Sequence, residues 1–345
     1  MEIFFTILIM TLVVSLSGVV TRVLPFQVPL PLIQIGIGAL LAWPTFGLHV
    51  EFDPELFLVL FIPPLLFADG WKTPTREFIE HGREIFGLAL ALVVVTVVGI
   101  GYLIYWIVPG IPLIPAFALA AVLSPTDAVA LSGIVGEGRI PKKIMGILQG
   151  EALMNDASGL VALKFAVAAT LTGLFSWGQV TQEFLWISLG GLGAGAAVGW
   201  GFSYLRETVT RRLGDVAATQ MVLLLVLLPF AAYLLGEKIG VSGILAAVAA
   251  GVTTNFADLN RADYITERMQ TAGTWAMVES AFNGAIFLLL GLQLPSIIGV
   301  TLHNAGHDWW ILVGYVVLIS VALLLLRWIW VSLGVARSLH KAHRA

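Results

Sequence analysis

Apolar stretches of about 20 residues recur along the whole chain, separated by short segments that hold prolines, glycines and charged residues. A bilayer leaves no water to satisfy an open backbone, so only helices or closed barrels can span it. Of the 345 residues, 59% are hydrophobic and 11% are charged, whereas a soluble domain carries about 25% charge. The chain is therefore predicted to be all-α: a polytopic helical bundle in the cell membrane, with residues 1–345 as one transmembrane domain.

Breaks at prolines, glycines and charged clusters predict eleven spans. They cover residues 3–21, 31–48, 55–70, 84–108, 113–135, 141–172, 183–205, 218–236, 240–255, 272–294 and 309–335. All but three of the 18 Lys and Arg residues fall in alternate loops, in the C-terminal tail or, for Lys142 and Lys143, at the loop end of the sixth span. The exceptions are Lys238, in an opposite loop, and Lys164 and Arg327, within spans. By the positive-inside rule, we expect the N-terminus outside and the C-terminus in the cytoplasm.

Acidic residues inside the predicted spans are the main indication of function. Apart from Glu55, Glu84 and Glu183, each the first residue of its span, they are Asp69, Asp127, Glu151, Asp156 and Glu279. An ionisable side chain at membrane depth is costly unless it is paired or hydrated, so it usually marks an ion or proton path. Helical spacing places Glu151, Asn155 and Asp156 on one broad face of the sixth span, with Ser158 just beyond them.

The fifth span contains the sequence Ser124-Pro125-Thr126-Asp127. A proline at this depth removes a backbone donor and frees carbonyl groups, which predicts a broken helix near 124–127. Carboxylates, hydroxyls and freed carbonyls are hard oxygen ligands, which suit Na+, Li+ or H+ better than a soft metal. Asp127 and Asp156 are therefore candidate ligands of a monovalent cation.

The other polar residues within spans allow more than one interpretation. Because Arg327 keeps its proton, it needs an anion at depth, and we expect a buried ion pair with Glu151. Asp69 and Glu279 are candidate ligands or, equally, helix-packing groups. The glycine cluster at 190–201 predicts close packing of helices.

Several stretches together resemble the monovalent cation/proton antiporters, in the branch of the Na+/H+ exchangers. They are FIPPLLFADGW (61–71), LSPTDAVALSGI (123–134), GEALMNDASGLV (150–161), GVSGILAAVAAG (240–251), ESAFNGAIFLLLGL (279–292) and, more loosely, LLLLRWIWVSLGV (323–335). They occur in family order along the whole chain, and the Asn-Asp pair with the upstream Thr-Asp pair is specific for this branch. The resemblance implies an inverted-repeat antiporter fold and a homodimer.

The resemblance also implies roles for individual residues. Asp156 would be the principal carboxylate, which binds Na+ or H+ alternately, while Asp127 and the Thr126 backbone shape the site. Asn155 stands where the electrogenic branch has a second aspartate, which implies electroneutral one-for-one exchange. Glu151 would pair with Arg327.

Three departures from the family pattern affect these expectations. Ala152 replaces a serine that ligates the ion in many relatives, so that ligand is absent. Ala68 stands where many relatives have an acid, and Asp69 follows one residue later, which turns its side chain by about 100°. The family also normally has two further spans after the arginine helix. The sequence alone therefore leads us to expect a chain that lacks the last two spans.

The function implied is secondary active antiport of Na+, or Li+ or K+, for H+, without a cofactor, an enzymatic reaction or a nucleic-acid partner. One alternative is a cation channel or a truncated, non-transporting remnant, which would share the same site residues. A remote alternative is an intramembrane serine protease, because residues 240–243 read Gly-Val-Ser-Gly. A protease would need a histidine base within a span, and all six His residues fall in predicted loops or tails.

Overall fold

The structure is a computed structural model that describes residues 2–23, 28–43, 54–73, 91–126, 141–172, 177–213, 218–259, 265–305 and 309–342. Twelve helices and no strand occur in these ranges. The helices are α1 (Glu2–Val23), α2 (Leu30–Leu41), α3 (Pro54–Leu60), α4 (Ile62–Lys72), α5 (Val93–Ile107), α6 (Leu113–Leu123), α7 (Lys142–Thr172), α8 (Trp177–Leu213), α9 (Ala218–Lys238), α10 (Gly243–Leu259), α11 (Ile265–Ala305) and α12 (Trp309–Ala342).

Four segments of the described helices are long and apolar enough to cross a membrane. They are Leu185–Val209, Thr219–Lys238, Met269–His303 and Trp309–Leu333, and six shorter apolar helices accompany them. Every predicted span overlaps at least one helix of the structure. The all-helical membrane fold is confirmed, whereas the count of eleven crossings and their orientation stay predictions.

The third predicted span, 55–70, is two helices rather than one. Helix α3 ends at Leu60 and α4 begins at Ile62, with Phe61 between them. Pro63 and Pro64 follow at once; they lack backbone N–H groups, and their rings clash with the carbonyls four residues earlier. The predicted span therefore contains a helix break that hydrophobicity did not indicate.

The chain divides into two compact units. Unit 1 comprises Met1–Thr75, Asp127–Met145 and Leu185–Asn304. Its core contains fully buried aromatic and small side chains, among them Phe67, Ala68 and Trp275. The rings of Phe67 and Trp275 lie 5.1 Å apart between centroids, which joins α4 to α11.

Unit 2 comprises Arg76–Thr126, Gly146–Phe184 and Ala305–Ala345. Its core is built from Ile100 and Ile104 of α5 with Ala116 and Ala120 of α6. One side of α12 packs against these residues through Ile319, Ala322, Leu323 and Leu326. This packing fixes the rotation of α12 about its axis and so determines where Arg327, the next residue, projects.

Helices α8 and α10 pack closely through the glycine cluster, as the sequence predicts. A Cβ atom at Gly199 would lie 2.6 Å from the Ala250 carbonyl oxygen, and one at Gly191 would lie 2.5 Å from the Ser242 carbonyl oxygen. A Cβ atom at Gly201 would meet nothing within 4 Å. The glycines on one side of α8 are therefore required for the contact, and those elsewhere on α8 are not.

Replacing Gly199 by alanine is expected to destabilise the fold by about 1–3 kcal/mol, because the new Cβ overpacks a backbone contact. The matched change Gly201→Ala should be neutral or stabilise by up to about 1 kcal/mol, because alanine favours helix more than glycine does. Thermal unfolding in detergent distinguishes the two variants. Equal shifts for both would contradict the packing described for Gly199.

Candidate ion-binding site

The break predicted in the fifth span begins where α6 ends. Helix α6 stops at Leu123, and the Ser124 hydroxyl donates to the Ala121 carbonyl at 2.9 Å. Pro125 has no N–H group with which to continue the helical ladder, and residues 125–126 have no regular structure. The chain has thus left the helix before Thr126, and the predicted break is confirmed on its N-terminal side.

A close approach of α7 brings its side chains to this break. A Cβ atom at Gly159 would lie 2.6 Å from Pro125 Cγ and 3.2 Å from the Ala121 carbonyl oxygen. Only glycine therefore allows α7 to pack so tightly against the end of α6. Because Asn155 lies one helical turn before Gly159, it faces the same neighbour, and Thr126 comes within its reach.

The Thr126 hydroxyl joins three polar side chains in unit 2. Thr126 Oγ1 donates to Glu151 Oε1 at 3.4 Å and accepts from Asn155 Nδ2 at 2.9 Å. It also accepts from Arg327 Nη1 at 3.2 Å. One donated and two accepted hydrogen bonds use the full capacity of a hydroxyl group. The sequence suggested a role for the Thr126 backbone, and it did not reveal this role of the side chain.

Glu151 and Arg327 form an ion pair beside Thr126. Arg327 Nη2 lies 2.7 Å from Glu151 Oε1 and donates to Oε2 at 2.9 Å. The Glu151 side chain is 1% exposed, and that of Arg327 is 29% exposed. Because the surroundings hold little water, the carboxylate depends on the guanidinium for charge compensation. The pair leaves Glu151 neutralised and therefore poorly placed to bind a mobile cation.

Asn155 has one polar atom that the network does not use. Asn155 is 1% exposed, and its Nδ2 donates to Thr126 Oγ1. Its Oδ1 is buried and has no hydrogen-bond partner among the described residues. The Ser158 hydroxyl donates to the Asn155 carbonyl at 3.1 Å on the same helix. A buried amide oxygen without a donor is a neutral oxygen that can ligate a cation.

The two predicted carboxylate ligands lie at the edge of what the structure describes. Asp127 falls outside the described residues, and Asp156 lies in α7 with its side chain outside them. Among the described residues, no three His, Cys, Asp or Glu side chains gather as a metal-ligand group. The roles of the two acids therefore stay predictions.

Asp69 and Glu279, the other two candidate acids, belong to unit 1. Asp69 is half-buried on α4, while Ala68 beside it is fully buried in the apolar core. Glu279 forms an ion pair with Lys72, the last residue of α4. Sequence reasoning missed this lysine because it was assigned to a loop. Its position at the end of a span that contains an acid was the available signal.

Comparison with known proteins is consistent with this geometry. The sequence model described as "Sodium/hydrogen exchanger, transmembrane" matches residues 7–344. The chain belongs to this exchanger family. The chain is 70% identical over 337 residues to the uncharacterized Na+/H+ exchanger YjcE of Escherichia coli (strain K12), covering 96% of this chain and 61% of that protein. It is 45% identical over 334 residues to a sodium, potassium, lithium and rubidium/H+ antiporter of Bacillus subtilis (strain 168), covering 96% and 49%.

The exchanger fold also agrees with a solved structure. The chain superimposes on the sodium proton antiporter MjNhaP1 of Methanocaldococcus jannaschii at pH 8 with a TM-score of 0.70, covering 97% of this chain and 81% of that one. At 18% sequence identity, the likeness establishes the fold alone. The chain spans about half to three-fifths of the length of the curated relatives it matches. The family places it in the cell membrane as a multi-pass protein.

Membership of a transporter family gives no support to the alternative function as a protease. The hydrogen bonds of Ser242 indicate a structural role for this residue. Its Oγ accepts from the Leu245 backbone N–H at 3.2 Å, which makes it the N-cap of α10. Its own N–H donates to the Ile187 carbonyl at 3.1 Å. The residue is 2% exposed, so both bonds are shielded from solvent.

The Thr126 network leads to a stability prediction. Replacing Thr126 by valine keeps the shape and removes the hydroxyl, leaving an amide, a guanidinium and a carboxylate each short of one hydrogen bond. We expect a loss of about 1–3 kcal/mol in the free energy of unfolding. Thr126→Ser keeps the hydroxyl and should be closer to the unmodified chain in thermal unfolding. If the valine and serine variants unfold alike, the hydroxyl does not hold the network.

Proposed function

We propose that this chain exchanges Na+, or Li+ or K+, for H+ across the membrane as a secondary active antiporter. Membership of the exchanger family and the printed activity of the Bacillus subtilis relative support the proposal. One structural observation carries it for this site: Arg327 already neutralises Glu151, next to Asn155 and at the helix break. Asp127 and Asp156, the acids next to Thr126 and Asn155 in the sequence, are thereby left to bind the transported ion.

The proposed site combines charged and neutral oxygens. Asp156 and Asp127 supply carboxylates to Na+, which here is cargo rather than a resident cofactor. Asn155 contributes Oδ1, the buried acceptor without a described partner, because its amide nitrogen is held by Thr126. Ser158 is a further candidate, one turn beyond Asn155. Hard oxygen donors of this kind match the preference of a small monovalent cation.

Exchange follows from competition for one carboxylate. When Asp156 holds a proton it cannot bind a cation, and when it holds a cation it has released the proton. If only the loaded forms change access between the two sides, each turn moves one ion each way. Thr126 and Arg327 position the surrounding groups and take no proton in this scheme, because a guanidinium stays charged. No enzymatic step and no cofactor enter the proposal.

Purified protein in liposomes tests the proposal directly. A pH-sensitive dye is quenched by an imposed proton gradient, and Na+, Li+ and K+ are then added in turn on the outside. Dequenching that saturates with at least one of these cations, and not with a bulky organic cation, is expected. Absence of dequenching with all three would refute exchange by this chain. A channel would differ by conducting the cation without coupled proton movement.

We also propose that exchange is electroneutral, because Asn155 replaces a second acid and Glu151 is neutralised by Arg327. A membrane potential does about 2.3 kcal/mol of work per charge per 100 mV, so an electrogenic cycle would respond strongly to it. A K+/valinomycin potential of either sign should leave the Na+/H+ exchange rate unchanged, provided that K+ is not itself a substrate. Acceleration by one sign and slowing by the other would show net charge movement.

A homodimer embedded in membrane lipid is part of the same proposal and rests on the resemblance. Mass measurement of the detergent-solubilised protein, after subtraction of the detergent, distinguishes one copy from two. A single 37.0 kDa chain at all protein concentrations would count against the dimer.

A further inference from the structure

Unit 1 contains an acid that the proposed exchange mechanism does not require. Glu279 lies within Met269–His303, an apolar stretch of α11 long enough to cross a membrane. It is ten residues beyond the start of that stretch, which is about 15 Å along a helix axis. A carboxylate at such a position is expensive unless a cation accompanies it. Its accompanying cation is Lys72 at the end of α4, whose Nζ pairs with Glu279 Oε2.

The two oxygens of Glu279 have different surroundings. Lys72 pairs with Oε2, while Oε1 is buried and has no hydrogen-bond partner among the described residues. The Glu279 side chain is 18% exposed, and that of Lys72 is 44% exposed. The lysine therefore reaches the carboxylate from the open side, and one acceptor oxygen remains unused on the buried side.

Large, mostly apolar side chains lie near Glu279 and Lys72 along the chain. Trp275 lies one turn earlier on α11 and is fully buried, and Val278 packs against the same core. Trp71, the residue before Lys72, packs there as well. A low-polarity environment strengthens the attraction between Glu279 and any cation beside it. The same environment would also attract a free monovalent cation of similar size, because the attraction depends on charge and distance.

Lysine is suited to being displaced. Its ammonium is a compact point charge on a flexible chain, unlike the planar fork of Arg327, which contacts both oxygens of Glu151. Lys72 contacts one oxygen of Glu279, and much of its side chain is accessible. We propose that Glu279 is a monovalent-cation site in unit 1, which Lys72 fills as a tethered cation and for which free cations compete.

The proposal is independent of whether the chain exchanges ions, so its test is a binding measurement without transport. All variants carry Asp127→Asn and Asp156→Asn, which remove both carboxylates proposed to bind the transported cation. Thermal unfolding in detergent is followed as Na+ replaces N-methyl-D-glucamine at constant ionic strength. A ligand that binds only the folded state raises the unfolding temperature with its concentration.

Lys72→Gln should make the site available to free Na+. We expect the half-maximal Na+ concentration for the rise in unfolding temperature to fall about tenfold or more relative to the chain that keeps Lys72. Adding Glu279→Gln should abolish the rise. Lys72→Arg, the matched control, keeps a tethered positive charge and should show no such gain in sensitivity.

Two results would overturn the proposal. One is a Lys72→Gln chain whose unfolding temperature does not depend on Na+; the other is a dependence that persists after Glu279→Gln is added. Should Lys72→Gln fail to fold, the chain that keeps Lys72 still decides the question. Its response at high Na+ must disappear with Glu279→Gln, and a response that survives this change refutes a cation site at Glu279.

Discussion

We expect Asp156→Asn to abolish cation-dependent proton movement in liposomes while the protein still folds. This result is expected because asparagine keeps the size and hydrogen-bonding ability of aspartate and loses its titratable charge. Within the proposed mechanism, Asp156 is the group that carries either the cation or the proton. Asp156 follows the buried Asn155 directly in α7, and its role stays a prediction.

The measurement is dye dequenching at saturating Na+, with folding checked by monodispersity and thermal unfolding. Glu207→Gln is a matched acid-to-amide control, since Glu207 pairs with Arg211 one turn away on the exposed end of α8. Glu207 lies in unit 1 and outside the proposed ion site, so the control should keep its exchange rate. Retention of a third or more of the unmodified exchange rate by Asp156→Asn would exclude Asp156 as the essential carrier.

Hydrophobic periodicity and proline chemistry predicted much of the fold, because both act locally. The end of α6 at Leu123 follows from Pro125, which cannot continue the helical ladder. The same chemistry was overlooked at Pro63 and Pro64, where an uninterrupted apolar run suggested one span and the structure has two helices. Hydrophobicity detects membrane segments well, and it is insensitive to breaks within them.

Some contacts of the candidate site could be predicted from the sequence and others could not. An arginine at membrane depth requires an anion, so the proximity of Glu151 and Arg327 could be anticipated across a separation of 176 residues. The contacts of the Thr126 hydroxyl could not be predicted, because they depend on the close approach of α7 at Gly159. Lys72 was missed because it was assigned to a loop, although its long side chain can carry the charge back toward the span.

Removal of either member of the Glu151–Arg327 pair is expected to destabilise the fold by about 3–5 kcal/mol. Glu151→Gln leaves a guanidinium at membrane depth without its anion. Arg327→Gln leaves a carboxylate that is 1% exposed without its cation. In each case the cost comes from the uncompensated charge rather than from a lost contact of ordinary strength. The Thr126 hydroxyl can still bond the remaining partner, but it cannot neutralise it.

The double variant Glu151→Gln/Arg327→Gln should unfold at a higher temperature than the sum of the single effects predicts. It has two neutral amides where each single variant has a buried charge, so the desolvation cost disappears while some hydrogen bonding remains. Thermal unfolding of the four chains in one detergent gives the coupling energy, which we expect to exceed about 1 kcal/mol.

Lys164→Gln combined with Arg327→Gln serves as the matched control. It removes a second cation from unit 2, on the exposed side of α7, and should be additive. Strict additivity of Glu151→Gln and Arg327→Gln would mean that the two groups do not compensate each other. Glu151 would then not be neutralised by Arg327, and the transported ion would not be restricted to other acids.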